Sequence, residues 1–110
     1  MKVETDNFEV LERVAATFNL LSDANRLMIL QKLKKQEHTV NEIVELTGLK
    51  QAAVSKHLGM MYKGKILERR KDGNKSYYKV SDKSIFDLCN IVCGKLKQEQ
   101  SDLAEMSFKI

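Results

Sequence analysis

The chain has no proline and no tryptophan, and its 110 residues include only two cysteines and two histidines. With no proline to break them, helix ends and turns must rest on glycine and polar caps. No apolar run approaches the length of a bilayer span, so no membrane partner is expected. The opening MKVETDNFEV is acidic and lacks the apolar stretch of a secretory signal. Two cysteines without such a signal do not suggest a structural disulfide, so reduced thiols are expected. Also missing are a nucleophile with its base, a carboxylate pair and a phosphate-cradling glycine loop, which argues against an enzyme. A cytoplasmic protein of one domain, residues 1–110, with no cofactor is the expectation.

What is present is charge, unevenly placed. Residues 50–79 hold nine Lys or Arg against two acids, a net of +7, while the remainder has ten basic and thirteen acidic residues and nets −3. A basic segment in a mildly acidic body is the footprint of a surface that meets a polyanion. An ordinary solvated face is the bland alternative.

Apolar spacing marks out the elements. Val10, Leu11, Val14, Ala15, Phe18 and Leu21 predict a helix over 7–21, capped by Asp6 or Asn7. Ser22 or Asp23 caps a second helix whose Leu27, Ile29, Leu30 and Leu33 face a core. Thr39-Val40-Asn41-Glu42 fits a capping box, opening a short helix that buries Ile43, Val44 and Leu46 and ends at Gly48. After a short turn, QAAVSKHLGMMY points Val54, Leu58 and Met61 inward at i, i+4 and i+7. Together residues 40–63 describe a helix-turn-helix. Two strands within 66–80, Ile66 to Lys71 and Lys75 to Val80, meet at the turn Asp72-Gly73-Asn74, with Tyr78 and Val80 facing the core. Ser81 or Asp82 caps a last helix over 83–106, striped by Ile85, Cys89, Val92 and Leu96 and continuing through Leu103 and Met106. The fold class is therefore mainly α with a small β-hairpin: a winged helix-turn-helix with flanking helices.

The second helix of such a pair enters the DNA major groove with its N-terminal residues at base edges. Gln51, Ala52 and Ser55 point outward there, suited to adenine, a thymine methyl and several hydrogen-bond partners respectively. Lys50 and Lys56 suit phosphates, which position without reading sequence. The hairpin adds Arg69, Arg70, Lys71, Asn74 and Lys75 as a wing for backbone or an adjacent minor groove.

The segments SDANRLMILQKL, TVNEIVELTGLKQAAVSKHLGMM and ILERRKDGNKSYYKVSD resemble the ArsR-type winged-helix repressors of bacteria. The likeness covers nearly the whole chain. Its pieces, Asp23-x-x-Arg26-Leu27, Val54-Ser55-Lys56-His57-Leu58 and Asp72-Gly73-x-x-x-Tyr77-Tyr78, stand in the family's order and spacing. The resemblance implies a homodimer paired through the first and last helices, an imperfect palindrome as target, and repression that an inducer relieves. It also matches His57 to a histidine common in the family's recognition helix, which implies a DNA-proximal or helix-packing role rather than a metal ligand. Two positions depart from the pattern. Lys50 stands where the family often has a capping Ser or Thr, and lysine cannot cap that way. Lys65 stands where the family usually has glycine, which puts the exit from the recognition helix in question.

Many relatives sense metals. Where some carry a Cys-x-Cys pair this chain has Asn41, Ile43 and Val44, and its last helix has no histidine beside Asp87. Both familiar zinc sites are absent, and no metal ligand set is assigned. Cys89 and Cys93 remain, at i, i+4 on one helix face. They are read as inert packing, as a switch for thiol redox or reactive sulfur, or as a soft metal or metalloid site. A regulator without any ligand and a winged-helix module for protein contact remain the rival functions.

Overall fold

The computed structural model describes residues 7–99 and 110. Asn7 opens the first helix, α1 (Phe8–Leu20), its side chain accepting from the Glu9 amide. Asp6, the other expected cap, lies outside the described residues, as do Leu103, Met106 and the expected run of the last helix to 106. None of the 13 residues of α1 is buried within the chain. Asp23 caps α2 (Ala24–Leu33) by accepting from the amides of Asn25 and Arg26.

Thr39 opens α3 (Val40–Thr47) with the expected capping box: its hydroxyl accepts from Glu42 N, and Thr39 N donates to the Glu42 carboxylate. Gly48 ends the helix at φ +76°, where a Cβ would be strained. Leu46 departs from expectation. It is exposed, because the core-facing stripe is Val40, Ile43, Val44 and Thr47, and Leu46 falls off that side. In α4 (Gln51–Lys63), Val54, Leu58 and Met61 are fully buried, as the spacing predicts.

The hairpin consists of β2 (Leu67–Asp72) and β3 (Lys75–Val80), paired from Leu67↔Val80 to Asp72↔Lys75. Asp72 is thus the last strand residue and the turn is Gly73-Asn74, with Gly73 at φ +65°. A third strand not foreseen from the sequence, β1 (His38–Thr39), pairs with β3 and gives the order β1-β3-β2. Two residues are too few to show a period. Tyr78 and Val80 face the core as expected.

Asp82 rather than Ser81 caps α5 (Ser84–Glu99), accepting from Ser84 N. Its buried stripe is Phe86, Cys89 and Cys93, not the expected Ile85, Cys89, Val92 and Leu96. Val92 and Leu96 are exposed, and Ile85 only partly covered. An apolar stripe and the stripe covered by the same chain are different things: α5 has apolar residues on two sides, and its own chain reaches one. The core gathers Ile29, Leu30, Leu33, Ile43, Val54, Leu58, Met61, Ile66, Leu67, Tyr78, Val80 and Phe86. Among the described residues no helix is long and apolar enough to cross a membrane.

Candidate nucleic-acid interface

Helix α4 divides cleanly. Opposite its buried stripe, Gln51, Ala52, Ser55 and Lys56 are exposed. Lys50 occupies the N-cap in extended conformation and makes no side-chain cap. The first amides of α4 therefore receive nothing from Lys50, and a helix start of this kind suits an anion. At the other end Gly64 closes the helix, and a Cβ there would lie 2.2 Å from Leu20 Cδ1. Lys65 follows at φ +67°. The exit from α4 thus takes the left-handed step that glycine would make easily, at the cost of holding lysine in it.

His57 turns away from the exposed face. It is half-buried, with Nδ1 3.4 Å from Arg26 Nη1. Arg26 itself is buried, and its Nε and Nη2 donate to the carbonyls of Leu20 (2.8 Å) and Asn19 (3.0 Å) at the end of α1. Spacing could flag Arg26 within its motif but not give it these partners, which lie up to 31 residues away.

The wing is braced by contacts that the sequence reading missed. The Arg69 guanidinium lies 4.3 Å from the centre of the Tyr62 ring on α4. Arg70 lies 4.4 Å from the Tyr77 ring and makes a two-pronged ion pair with Glu37, its Nε 3.0 Å from Oε1. This pairing holds the Glu37 carboxyl below its usual range. Arg70, expected as a DNA contact, is therefore already committed to a carboxylate. Lys71, Asn74 and Lys75 stand exposed around the turn.

Cys89 and Cys93 are buried free thiols. Both line a groove of about 360 Å³ with Phe18, Leu21, Leu27 and Leu88. Burial first, then the neighbouring Cys93, pushes the Cys89 thiol up, against the reactive thiolate. Among the described residues no three His, Cys, Asp or Glu side chains gather to hold a metal ion.

Architecture and site define a winged helix-turn-helix domain. The family described as bacterial regulatory protein, arsR family, matches residues 23–68. The chain is 36% identical over 77 residues to a probable mercury resistance operon repressor of Streptomyces lividans, covering 70% of this chain and 62% of that protein. It is 31% identical over 75 residues to the HTH-type transcriptional regulator KmtR of Mycobacterium tuberculosis, covering 68% and 58%. A homodimeric winged helix-turn-helix DNA-binding domain from Mycobacterium bovis superposes with TM-score 0.75 at 25% identity, covering 87% of this chain and 92% of that one. The chain belongs to the ArsR family of winged helix-turn-helix regulators. It spans less than two thirds of the length of either curated relative.

Proposed function

We propose that the chain is a cytoplasmic, sequence-specific DNA-binding repressor that acts as a homodimer on an imperfect palindrome. The exposed face of α4 carries this reading: Gln51, Ala52, Ser55 and Lys56 stand clear of the core on a helix whose other side is locked into it. Gln51, Ala52 and Ser55 meet base edges, Lys50 and Lys56 meet phosphates, and Lys71, Asn74 and Lys75 reach the flanking backbone or minor groove. Arg69, stacked on Tyr62, sits at the junction of wing and recognition helix. His57 packs behind the contact face rather than on it. Homodimer formation is supported by the M. bovis domain and by the apolar residues left bare on α1 and α5.

Fluorescence anisotropy on DNA from upstream of its own gene tests this. Binding that prefers that sequence and weakens steeply with salt is expected, on the order of a thousandfold from 50 to 200 mM for six or more phosphates. Salt-insensitive or absent binding there, and to fragments selected from a random pool, favours the protein-contact rival. Gln51→Ala should relax preference at one base position per half-site by about 1–3 kcal/mol. If affinity and preference both stay put, the register of α4 on DNA is wrong.

A thiol switch is the second reading. Its support is that both sulfurs line one groove beside the bare apolar residues of α1 and α5. The raised Cys89 thiol weighs toward inert packing, or toward a regulator with no ligand. Equal DNA affinity for reduced, oxidised and soft-metal-treated protein, and for Cys89→Ser with Cys93→Ser, would remove the switch.

A further inference from the structure

Helix α1 is tied to its own chain almost wholly through its last turn. Its apolar residues from Phe8 to Phe18 are exposed, and partial cover begins only at Leu20 and Leu21, which lean on the core. Whatever sets the direction of α1 must therefore act near its C-terminus.

Two contacts there reach α4. The first is polar. The last carbonyls of a helix lack partners within it and carry the negative end of its dipole, so a guanidinium is a fitting guest. Arg26 places Nε on Leu20 O and Nη2 on Asn19 O, while its third nitrogen, Nη1, faces His57 Nδ1 and, at 4.0 Å, the Met60 sulfur. The backbone of Arg26 is held too, since its amide donates to Asp23. Asp23-x-x-Arg26 thus fixes one residue at both ends. Guanidinium only donates, so His57 must offer the lone pair of Nδ1 and carry its proton on Nε2. The second contact is apolar: Leu20 Cδ1 occupies the space where a side chain at Gly64 would begin. One end of α1 is thereby held to both the middle and the exit of α4.

We propose that Arg26 is a positioning residue for DNA recognition, setting the angle between α1 and α4 through His57, with Leu20 on Gly64 as the second point of hold. Resting on the function proposed above, this makes the join the part of each protomer that converts pairing through α1 into a spacing of the two recognition helices. Half-sites are one duplex turn or a multiple apart, so a changed angle misplaces one helix whenever its twin is seated. Lysine cannot replace Arg26, because a single ammonium does not span these partners in a fork.

The test combines an angle with an affinity. Spin labels at Arg13→Cys and Lys63→Cys, in a chain with Cys89→Ala and Cys93→Ala and diluted with unlabelled protein, report the α1–α4 distance by pulsed EPR. Arg26→Met, Arg26→Lys and Leu20→Ala should each shift or broaden that distribution. The same three should lower affinity for a two-half-site DNA by about 5- to 150-fold, the usual size of coupling between sites, with dimer dissociation little changed. Nitrogen NMR should show His57 as the Nε2–H tautomer in the wild type and a mixture in Arg26→Met. An unchanged distribution, or an affinity loss no larger than the unfolded fraction explains, overturns the proposal. Should both Arg26 variants fail to fold, the milder Leu20→Ala decides by the same distance and affinity. If the wild type binds no selected DNA, the functional reading fails by itself, and the label distance still decides whether Arg26 sets the angle.

Discussion

Lys65 keeps a backbone at φ +67° that costs an L side chain about 1–2 kcal/mol. Lys65→Gly should therefore raise stability, by about 1 kcal/mol after the added freedom of the unfolded chain is subtracted. Urea midpoints check this; a midpoint that falls would mean that the lysine side chain makes a compensating contact. Arg70 shows how a charge counted in a basic segment can be partly spoken for. Glu37→Gln should free it, raising affinity for all DNA sequences alike and steepening the salt slope by about 0.9 per protomer if one more phosphate is engaged. An unaltered slope would place Arg70 away from DNA with or without its partner. At this scale the reading from sequence was right about direction on α4 and silent about partners. The faces of Gln51 and Val54 follow from helical period, whereas Glu37 and Arg70 meet across 33 residues of chain.

Caps decide where the elements begin, and several of them are carboxylates. Asp23 is held low first by the Arg26 amide, Glu42 by the Thr39 amide and Asp82 by the Ser84 amide. Each has a folded pKa below its unfolded one. Their stabilisation is therefore present above the ordinary carboxylate range and is lost as pH falls through the lowered values. Glu37 acts with the same sign through Arg70. Thermal midpoints should drop below about pH 4. Asp82→Asn should shrink the drop; an acid limb unmoved by it would put the linkage elsewhere. The capping box at Thr39 and the stop at Gly48 were legible because they are local chemistry. Strand β1 was not, since its two residues are extended only because β3 offers Tyr77 and Tyr78 to pair with.

For the whole molecule, the bare apolar residues on α1 and α5 matter most. Ile91 is 72% exposed and Phe18 54%, more than a lone chain has reason to leave in water in such number. Ile91→Glu should leave the melting of the chain's own core nearly intact and abolish pairing. Sedimentation would show a monomer, and affinity for a two-half-site DNA would fall toward that for one. A persisting dimer would move the pairing surface off α5. The sequence by itself determined the helices with capped starts, the helix-turn-helix with its wing, the basic segment and the sides of α4 that face in and out. All of these follow from local period, local capping and composition. Only the tertiary structure decided that Phe86 and Cys93 rather than Val92 and Leu96 are covered, that Glu37 holds Arg70, and that Arg26 joins the end of α1 to His57. Period tells which residues share a side of a helix. What lies against that side depends on how distant segments meet, and no local pattern encodes it.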